Sequence, residues 1–421
     1  MNNQKILLEK IKHKKAKIAI IGLGYVGLPL AILLAKSGFI VDGYIKNKKE
    51  LMSISSGISK IGMDSDLKKI LKTGKLSVHN IISKRLQDND IYIICVPTPL
   101  NKQKKPDLSS LNQVAKNLSR INLENKLIIN ESTVSPFTTK HIFGSLGKNY
   151  FLVCSPERID PGSKKTVENI QKLIGGMNAD SLTLGIALYK QILRKKLVVV
   201  KNMEVAEMSK MLENTYRAVN IALINEFAKL ADAINIDILD VIAAAKTKWS
   251  FRAHYPGIGV GGHCIPIDPY YILKLAEIKK IDMQLVTVGL SGNERMPDYV
   301  AQKIIKNYKK NMKVLIYGLT YKKNIADLRE SPVLVLCQIL KRKKIDFVVY
   351  DPLIGKKQIQ KLGLRIGKLE KVDIFVVGTD HKELIHDYSL AVGSETVVVD
   401  GRNFFQNKVG KKVLGIGRLR R

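Results

Sequence analysis

Cys264 and Asp268 are the residues whose types and spacing point most directly to chemistry. They lie in segment 259–269, which reads GVGGHCIPIDP and combines three glycines with two prolines. The glycines permit close approach of a ligand and positive φ angles, while the prolines exclude a regular helix or a central strand across the segment. A thiol on a stiff turn near a carboxylate suits covalent catalysis, provided that a cation lowers the thiol pKa. A buried, unreactive cysteine is the alternative that this segment alone leaves open.

The composition indicates a folded chain of two or three domains. A length of 421 residues exceeds what one core usually organises, and 45% hydrophobic with 25% charged residues is ordinary for a globular protein. The formal charge of +33 is spread along the chain, and only 6% of the residues are aromatic. We therefore interpret the charge as a lysine-rich surface that attracts polyanionic substrates, and expect no nucleic-acid partner.

Cysteine usage and hydropathy indicate the compartment. The four cysteines show no zinc-ligand spacing, so we expect no metal site. Residues 18–35 carry no charge, but three glycines and Pro29 favour a strand, a turn and a helix over a membrane span. Because the first sixteen residues are charged throughout, they do not resemble a signal peptide. We predict a cytoplasmic protein without membrane attachment.

The first predicted domain opens with a dinucleotide-binding pattern. A β-branched strand at 17–21 precedes a GxGxxG loop, an apolar helix and a second strand at 39–45. Gly22 would make the turn, Gly24 would admit a pyrophosphate to the helix N-terminus, and Gly27 would let helix and strand pack closely. The predicted cofactor loop consists of Gly22, Leu23, Gly24, Tyr25, Val26 and Gly27.

The end of the second strand departs from the pattern that binds NAD. An acidic residue there normally accepts hydrogen bonds from the adenosine ribose. Asp42 lies about twenty residues after Gly22, yet the strand reaches Ile45 and is followed by the sequence KNKK at 46–49. An apolar side chain cannot accept from a hydroxyl, whereas lysines suit a 2′-phosphate. NADP is therefore an alternative to NAD.

Further predicted strands at 90–96, 126–130, 150–154 and 196–200 end in polar or proline-containing loops. Ligands of open parallel sheets bind beyond the carboxyl ends of the strands, so these loops are candidate walls of a site. The candidates that they contribute are Val96, Pro97, Thr98, Ser132, Thr133, Glu157 and Arg158.

The middle of the chain is helical and the remainder returns to alternating strands and helices. A long helix is predicted over 206–234, where Lys210 and Asn214 share one face, with a solvated surface pair as the alternative. Strands are predicted at 313–318, 347–350, 372–377 and 396–400. The predicted fold is α/β, with two Rossmann-like parallel-sheet domains joined by a long central helix and a helical middle domain. The predicted boundaries are 1–202, 203–305 and 306–421.

Several strings, in order, resemble the UDP-sugar 6-dehydrogenases of the UDP-glucose/GDP-mannose dehydrogenase superfamily. The resemblance covers 17–403 through GLGYVGLP, VPTPL, ESTV, SPERIDPG, EMSKMLENTYRAVNIALINE, PGIGVGGHCIPIDP, YKKNIADLRESP and DGRN. These enzymes oxidise the C6 alcohol of a nucleotide sugar to the uronic acid. The form GGHCIPIDP is most similar to the branch that acts on UDP-2-acetamido sugars, and SPERIDPG favours UDP-N-acetylglucosamine. UDP-N-acetylmannosamine and UDP-glucose are the alternatives.

The resemblance implies a four-electron oxidation with two NAD molecules, serving surface polysaccharide biosynthesis. Cys264 would be the nucleophile that forms a thiohemiacetal and then a thioester. Lys210 would supply the cation beside the thiol and stabilise charge on the substrate oxygen. The other catalytic positions that it implies donate hydrogen bonds or handle protons and water: Asn214, Asp268, Glu157 and Thr133.

The resemblance also implies two ligand sets and a homodimer with the long helix at its seam. Positions implied to contact the sugar nucleotide are Glu157, Arg158, Lys210, Asn214, Arg252, Tyr255, Gly261, Lys322 and Arg402. Positions implied to contact the cofactor, beside the glycine loop, are Val96, Pro97, Thr98, Ser132, Thr133 and Arg329. Arg252 would meet the uridine diphosphate, across a subunit boundary. Ile45 and Ala326 depart from the family pattern.

Two further functions compete with this one. A two-electron dehydrogenase of the hydroxyacid type shares the fold and the lysine-bearing helix but needs no thiol. A nucleotide-sugar-binding protein without catalysis is the other, motivated by Ile45.

Overall fold

The computed structural model describes residues 3–59, 61–81, 84–159, 166–405 and 413–418. The chain divides into two compact units, residues 1–213 and 214–421. The last three residues of the SPERIDPG string, 160–162, lie outside the described residues. The three-domain division with boundaries at 202 and 305 stays a prediction.

The first unit contains an eight-stranded sheet. Its strands are β1 Lys17–Ile21, β2 Ile40–Ile45, β3 Leu76–Asn80, β4 Ile91–Ile94, β5 Leu127–Asn130, β6 Phe151–Cys154, β7 Leu173–Gly176 and β8 Val198–Val199. Their order in the sheet is β3-β2-β1-β4-β5-β6-β7-β8. Neighbouring strands run parallel, except that β6 and β7 pair antiparallel.

Helices cover both faces of this sheet. They are α1 Asn3–Lys12, α2 Gly27–Lys36, α3 Lys48–Ser55, α4 Asp64–Lys72, α5 Ser109–Leu118, α6 Thr138–Phe143 and α7 Ala179–Lys190, with 3-10 helices at Lys84–Asp88 and Val167–Asn169. Strand β1 shows the two-faced burial: Ile18 and Ile20 pack into one apolar cluster, while Ala19 and Ile21 pack into the other. A strand buried on both faces reads as a continuous apolar run, which is why it was predictable.

Two strands of the first sheet were not predicted. Strand β3 is only half-buried and lies at the sheet margin, so its apolar pattern is weak. Strand β7 reads LIGG, and glycine disfavours strands. Gly175 is nevertheless required, because a Cβ there would lie 2.2 Å from the carbonyl oxygen of Asn202. Close backbone approach therefore overrides strand propensity at β7.

The second unit contains a five-stranded sheet and most of the helical middle of the chain. Its strands are β9 Val314–Tyr317, β10 Val348–Tyr350, β11 Val372–Val377, β12 Val392–Asp400 and β13 Val413–Leu414. They are ordered β10-β9-β11-β12-β13, with every neighbouring pair parallel. The predicted α/β class, with two Rossmann-like sheets, is confirmed.

The long predicted helix is also present. Helix α8 spans Met203–Ile234. It is followed by α9 Ile238–Ala245, α10 Asp268–Ile278, α11 Gln284–Glu294, α12 Met296–Asn307, α13 Pro332–Arg342, α14 Lys356–Lys361 and α15 Leu384–Ala391. In the part of the chain that the structure describes, no helix has both the length and the apolar composition needed to cross a membrane.

A buried amide network fixes the segment that precedes Cys264. Asn225 Nδ2 on α8 donates to Asn293 Oδ1 on α11 at 3.0 Å, and Asn293 Nδ2 donates to the carbonyl oxygen of Ala218 at 2.8 Å. Asn225 Oδ1 accepts the Gly257 N–H at 3.0 Å. Satisfied buried amides are rigid because breaking one leaves its partner without a hydrogen bond. The loop before the thiol is therefore anchored to two helices.

Candidate active site

The glycine loop between β1 and α2 has the geometry of a dinucleotide cradle. Gly22 has a φ of +98°, and a Cβ there would lie 2.7 Å from the Cys95 carbonyl oxygen. A Cβ on Gly27 would lie 1.9 Å from the Gly22 carbonyl oxygen. At Gly24, no heavy atom of the described residues lies within 4 Å of the corresponding position. Gly22 and Gly27 thus serve the turn and its packing, while Gly24 leaves room for a phosphate at the N-terminus of α2.

The side chains of this loop differ in their surroundings. Leu23 is buried, and its Cδ1 would lie 2.5 Å from a Cβ on Gly43 of β2. Tyr25 and Val26 are half-buried. The side chain of Leu23, one of the predicted cofactor positions, therefore packs inside the first unit. Only the Leu23 backbone remains available to a ligand.

The loops after β4 and β5 are tied to each other beside the glycine loop. Ser132 Oγ donates to the Val96 carbonyl oxygen and Thr98 Oγ1 donates to the Thr133 carbonyl oxygen, both at 2.8 Å. Pro97 is exposed between them. Since β1, β4 and β5 are neighbours, these predicted cofactor residues share one sheet edge with the glycine loop. The hydroxyl groups of Ser132 and Thr98 link the loop after β4 to the loop after β5.

Asp42 does not occupy the position of a ribose acceptor. It lies within β2, where it accepts a hydrogen bond from Ser77 Oγ at 2.5 Å and lies 3.2 Å from His79 Nε2 on β3. The residue at the end of β2 is Ile45, which is buried. The Asp42 carboxylate thus links β2 to β3, and the carboxyl end of β2 is apolar.

The turn after β2 is basic and exposed. Asn47 caps α3, its Oδ1 accepting the backbone N–H groups of Lys49 and Glu50. Lys46 and Lys48 are exposed on either side of this cap. Lysines at a helix N-terminus form a favourable environment for an added phosphate.

Arg158, a predicted substrate contact, forms an ion pair and hydrogen bonds that fix the loop after β6. Its Nη2 lies 2.7 Å from Glu213 Oε1, its Nε donates to Glu213 Oε2 at 3.1 Å, and its Nη1 donates to the Gln171 carbonyl oxygen at 2.9 Å. The guanidinium group therefore ties the loop after β6 to α8 and to the segment before β7.

A buried charge cluster, absent from the sequence prediction, stands behind Glu157. Lys172 Nζ lies 2.8 Å from Glu131 Oε2 and 3.3 Å from Glu157 Oε2, and Tyr189 OH donates to Glu131 Oε1. Lys172 was not singled out because a lysine is usually solvated and β7, which it precedes, was not predicted. Within the first unit, Glu157 also has the buried Lys210 near it, whose charge contributes to lowering the pKa of Glu157.

The second unit brings together three predicted catalytic residues. The Cys264 carbonyl oxygen accepts the N–H groups of Ile267 at 3.1 Å and Asp268 at 2.8 Å, which closes the turn into α10. Asn214 Nδ2 on α8 donates to Asp268 Oδ2 at 2.5 Å. Cys264 is half-buried, whereas Asp268 is 2% exposed. Cys264 and Asp268 thus belong to one closed turn, and Asn214 contacts the carboxylate of that turn.

The neighbour of the thiol is a neutral imidazole. Burial lowers the pKa of His263, and the positive charge of Arg329 lowers it further against the opposing effect of Asp327. At pH 7 His263 therefore cannot provide the cation that a thiolate needs. That cation has to come from another side chain.

The glycines before the thiol lie close to other parts of the second unit. A Cβ on Gly259, whose φ is +139°, would lie 2.9 Å from Pro332 Cβ. A Cβ on Gly261 or Gly262 would come within 2.7 Å of the Tyr321 side chain. The positive φ angles at Gly259 and Gly262 agree with the expectation. Gly261 lies against the Tyr321 side chain, and its expected place in a sugar pocket stays a prediction.

The remaining predicted ligand contacts lie in the second unit. Arg402 Nε donates to the Gly378 carbonyl oxygen at 2.8 Å, and its Nη2 donates to the Tyr321 carbonyl oxygen at 3.0 Å, so it joins the loops after β11 and β9. Arg329 pairs with Asp327 through three side-chain hydrogen bonds, because Nε donates to Oδ1 and Oδ2, both at 3.0 Å, and Nη2 donates to Oδ2 at 2.6 Å. The others occupy accessible positions: Lys322 is half-buried, and Arg252 and Tyr255 are exposed.

Comparison with protein families gives three consecutive matches. Residues 16–193 match the NAD binding domain of the UDP-glucose/GDP-mannose dehydrogenase family, residues 204–295 match its central domain, and residues 315–407 match its UDP binding domain. The dinucleotide cradle lies in the first match, the thiol turn in the second, and Lys322, Arg329 and Arg402 in the third.

Individual relatives extend over nearly the whole chain. A UDP-N-acetyl-D-mannosamine dehydrogenase of Pyrococcus horikoshii is 35% identical over 96% of this chain and 99% of its own length. A UDP-N-acetyl-D-glucosamine 6-dehydrogenase of Salmonella typhi is 32% identical over 88% of this chain and 91% of its own length. The solved structure of a UDP-D-ManNAc dehydrogenase from Pyrococcus horikoshii has a TM-score of 0.83 and 33% identity, covering 96% of this chain and 99% of that one.

We predict opposite consequences for alanine at two glycines of the cradle. Gly24→Ala should keep the thermal stability of the protein, because its Cβ meets open space, but weaken dinucleotide binding at least about tenfold by excluding the phosphate. Gly27→Ala, the matched variant, should lower the melting temperature because its Cβ would collide with backbone. Calorimetric titration and thermal melts measure both effects. Unchanged dinucleotide affinity in a well-folded Gly24→Ala protein would contradict the assignment.

Proposed function

Because this chain belongs to the UDP-glucose/GDP-mannose dehydrogenase family, we propose that it oxidises the C6 alcohol of a UDP-2-acetamido sugar to the uronic acid, for surface polysaccharide biosynthesis. The observation that carries the proposal is the turn that joins Cys264 to Asp268, where the Cys264 carbonyl oxygen accepts the Asp268 N–H and the Asp268 carboxylate accepts from Asn214. A thioester requires a sulfur nucleophile, and its hydrolysis requires a group that takes a proton from water. This turn supplies both.

The reaction removes four electrons in two stages. When bound, the dinucleotide accepts one hydride from C6 in each stage. After the first stage Cys264 Sγ adds to the aldehyde carbon, and the resulting thiohemiacetal is oxidised to a thioester in the second. Water then attacks the thioester, the C–S bond breaks, and the thiolate and the uronate are released.

We assign to Lys210 the positive charge that would stabilise the Cys264 thiolate. His263 is neutral at pH 7, so it cannot stabilise a thiolate or the charge that develops on the substrate oxygen. Lys210 lies one helical turn before Asn214 on α8, so both can donate to the same oxygen. Asp268, already oriented by Asn214, would take the proton from the attacking water. Glu157 and Thr133 would share proton handling during alcohol oxidation.

The sugar nucleotide is the polyanionic ligand that we assign to the loops of the second sheet. Lys322 and Arg402 would meet its phosphates, with Arg402 already held between two loops. Relatives named for the mannosamine and the glucosamine epimers align at 35% and 32% identity, which does not separate them. The preference for UDP-N-acetylglucosamine over UDP-N-acetylmannosamine stays a prediction, which relative kcat/KM values on the two epimers test.

We predict two reduced cofactors for each sugar oxidised, because one thioester cycle removes two hydrides. Cys264→Ser should lose about 1,000-fold or more in kcat and stop after the first oxidation, since a serine hydroxyl is not ionised near neutral pH and an alkoxide is a poorer leaving group than a thiolate. Cofactor absorbance and product mass spectrometry measure both. Cys337→Ala, on α13, is the control. Normal turnover by the serine variant, or one cofactor per sugar, would favour the two-electron alternative.

For the cofactor we propose that NADP is accepted as well as NAD, because the β2 end is apolar and the turn after it is basic. The variant Lys46→Ala/Lys48→Ala should raise the KM for NADP about tenfold and leave that for NAD within about twofold, because only NADP carries a 2′-phosphate. Lys69→Ala/Lys72→Ala on α4 removes the same charge elsewhere. Equal effects of both double variants would refute a local phosphate site.

For the assembly we propose a homodimer through α8. Its part in the second unit exposes large apolar side chains at spacings of seven, four, three and four residues, which form one stripe: Tyr216, Leu223, Phe227, Leu230 and Ile234. A second copy of the same helix provides a matching apolar stripe.

Charges placed on this stripe should separate the subunits. Phe227→Glu/Leu230→Glu is expected to sediment as a monomer where the natural chain sediments as a dimer, because buried like charges repel across a two-fold interface. Lys309→Glu/Lys310→Glu makes the same change in sign at exposed positions after α12 and should remain dimeric. A dimer that survives the stripe variant would place the interface elsewhere.

A further inference from the structure

We propose that Lys172 is a positioning residue of the reaction, which holds the Glu157 carboxylate ionised and fixed in direction at the edge of the first sheet. The inference rests on the proposed function, because it concerns the proton-handling role assigned to Glu157. It adds a residue that contacts neither substrate nor cofactor and acts through another side chain.

The geometry leaves each carboxylate oxygen of the cluster with a donor. Glu157 Oε1 accepts the backbone N–H groups of Arg158 at 2.6 Å and Ile159 at 2.7 Å, and its Oε2 faces Lys172 Nζ at 3.3 Å. Glu131 Oε2 faces the same ammonium at 2.8 Å, and its Oε1 accepts from Tyr189 OH. Fully satisfied buried charges have little freedom to reorient. Lys172 is therefore the shared contact between two otherwise separate carboxylates.

The accessibility of the three charged groups identifies which one can meet a substrate. The side chains of Lys172 and Glu131 are 0% exposed, whereas that of Glu157 is 6% exposed. Any effect of Lys172 on the reaction therefore has to pass through Glu157.

The charges divide the two carboxylates into different roles. Burial raises the pKa of Glu131 to about 7, even with Lys172 beside it, and the charge of Glu157 adds to the rise. Burial also opposes ionisation of Glu157, but Lys172, the two backbone N–H groups and Lys210 together keep the pKa of Glu157 below its ordinary value. Glu131 therefore takes up a proton before Glu157 does. Glu157 stays ionised over the range in which a dehydrogenase works.

The antiparallel strand explains how the lysine reaches this edge. Cys154 at the end of β6 pairs with Gly175, so the start of β7 extends beyond the carboxyl end of β6. Ser155 Oγ donates to the Leu173 carbonyl oxygen at 2.7 Å, which fastens that extension. In a parallel strand the residue before the first position would lie at the opposite edge of the sheet. The reversal of β7 thus brings Lys172 to the edge that carries Glu131 and Glu157.

Among the residues that the structure describes, the charged and titratable groups of the Glu157 cluster come from four elements: Lys172 before β7, Lys210 on α8, Glu131 after β5 and Cys95 after β4. The pKa of Cys95 is raised by burial, so the thiol is neutral. Loss of the Lys172 charge would therefore leave Lys210 as the one cation of this group.

The test compares the acid limb of kcat against pH in four variants with the natural chain, using UDP-N-acetylglucosamine or its epimer. Lys172→Met should move the limb up by about one to two pH units, because the carboxyl loses its nearest cation. Lys172→Arg should restore it. The KM for the sugar nucleotide should change less than about threefold, since Lys172 does not contact the substrate.

A double variant covers the case in which Lys172→Met does not fold. Glu131→Gln/Lys172→Met removes a carboxyl group and an ammonium group together, so that no Glu131 carboxylate is left buried without Lys172. Its acid limb should lie about one unit above that of Glu131→Gln alone. Limbs that agree within about 0.3 pH units, with lowered melting temperatures only, would reduce Lys172 to a structural residue and overturn the inference.

Infrared titration separates this inference from the proposed function. The carbonyl band of a protonated carboxyl group can be followed against pH in Glu131→Gln and in Glu131→Gln/Lys172→Met without turnover, and it should appear at higher pH in the double variant. Lack of oxidation of any UDP-sugar by the natural chain would refute the proposed function alone. An unshifted band would refute the role of Lys172 whether or not the enzyme turns over.

Discussion

One buried ammonium group between two carboxylates determines the shape of the first sheet's functional edge. Lys172 has no exposed surface, and its charge is matched by Glu131 and Glu157 rather than by water. Removal of one member of such a buried group generally costs about 3–5 kcal/mol, because an uncompensated charge is left behind. The loops after β5 and β6, and the start of β7, are therefore fixed relative to one another. The dinucleotide cradle lies on the same edge, so its surroundings are equally constrained.

The thiol turn of the second unit is held by different means. Its order comes from neutral hydrogen bonds, with Asn225 and Asn293 anchoring the approach and the Cys264 carbonyl closing the turn into α10. The glycines that precede the thiol allow Pro332 and Tyr321 to pack against the backbone. The nucleophile role that we propose for Cys264 requires a reproducible position of this turn, and these contacts restrict that position. Ion pairs thus fix the loops of the first unit, and neutral hydrogen bonds fix the turn of the second unit.

Much of this organisation was predictable because it depends on local patterns. The GLGYVG loop, the buried strand β1, helix α8 and the turn from Cys264 to Asp268 each combine a distinctive residue type with a short spacing, and the resemblance to the dehydrogenase family is confirmed. The features that the sequence did not predict, such as β7 and the Lys172 cluster, depend on contacts between residues distant in sequence. Strand β7 contains two glycines, which lower strand propensity.

Residue roles were harder to predict than the elements that carry them. Gly261 was expected to line a sugar pocket, and the structure adds that Tyr321 packs beside it, because a glycine indicates a close neighbour without identifying it. Arg158 was expected to bind substrate, which stays a prediction, while its pairing with Glu213 could not be predicted because the partner of an arginine is set by the fold. Asp42 had the expected distance from the glycine loop, yet its carboxylate is taken up by Ser77.

The pairing of Cys154 with Gly175 has a consequence for how this sheet tolerates change in chain length. A strand that slips by one position turns every side chain to the opposite face. A single inserted or deleted residue within the four residues of β7 would thus present Gln171 or Leu173, both uncharged, to Glu131 and Glu157. Insertions and deletions in this chain are therefore expected outside β7. The sequence alone would not indicate this, because a short stretch rich in glycine is typical of a loop that tolerates changes in length.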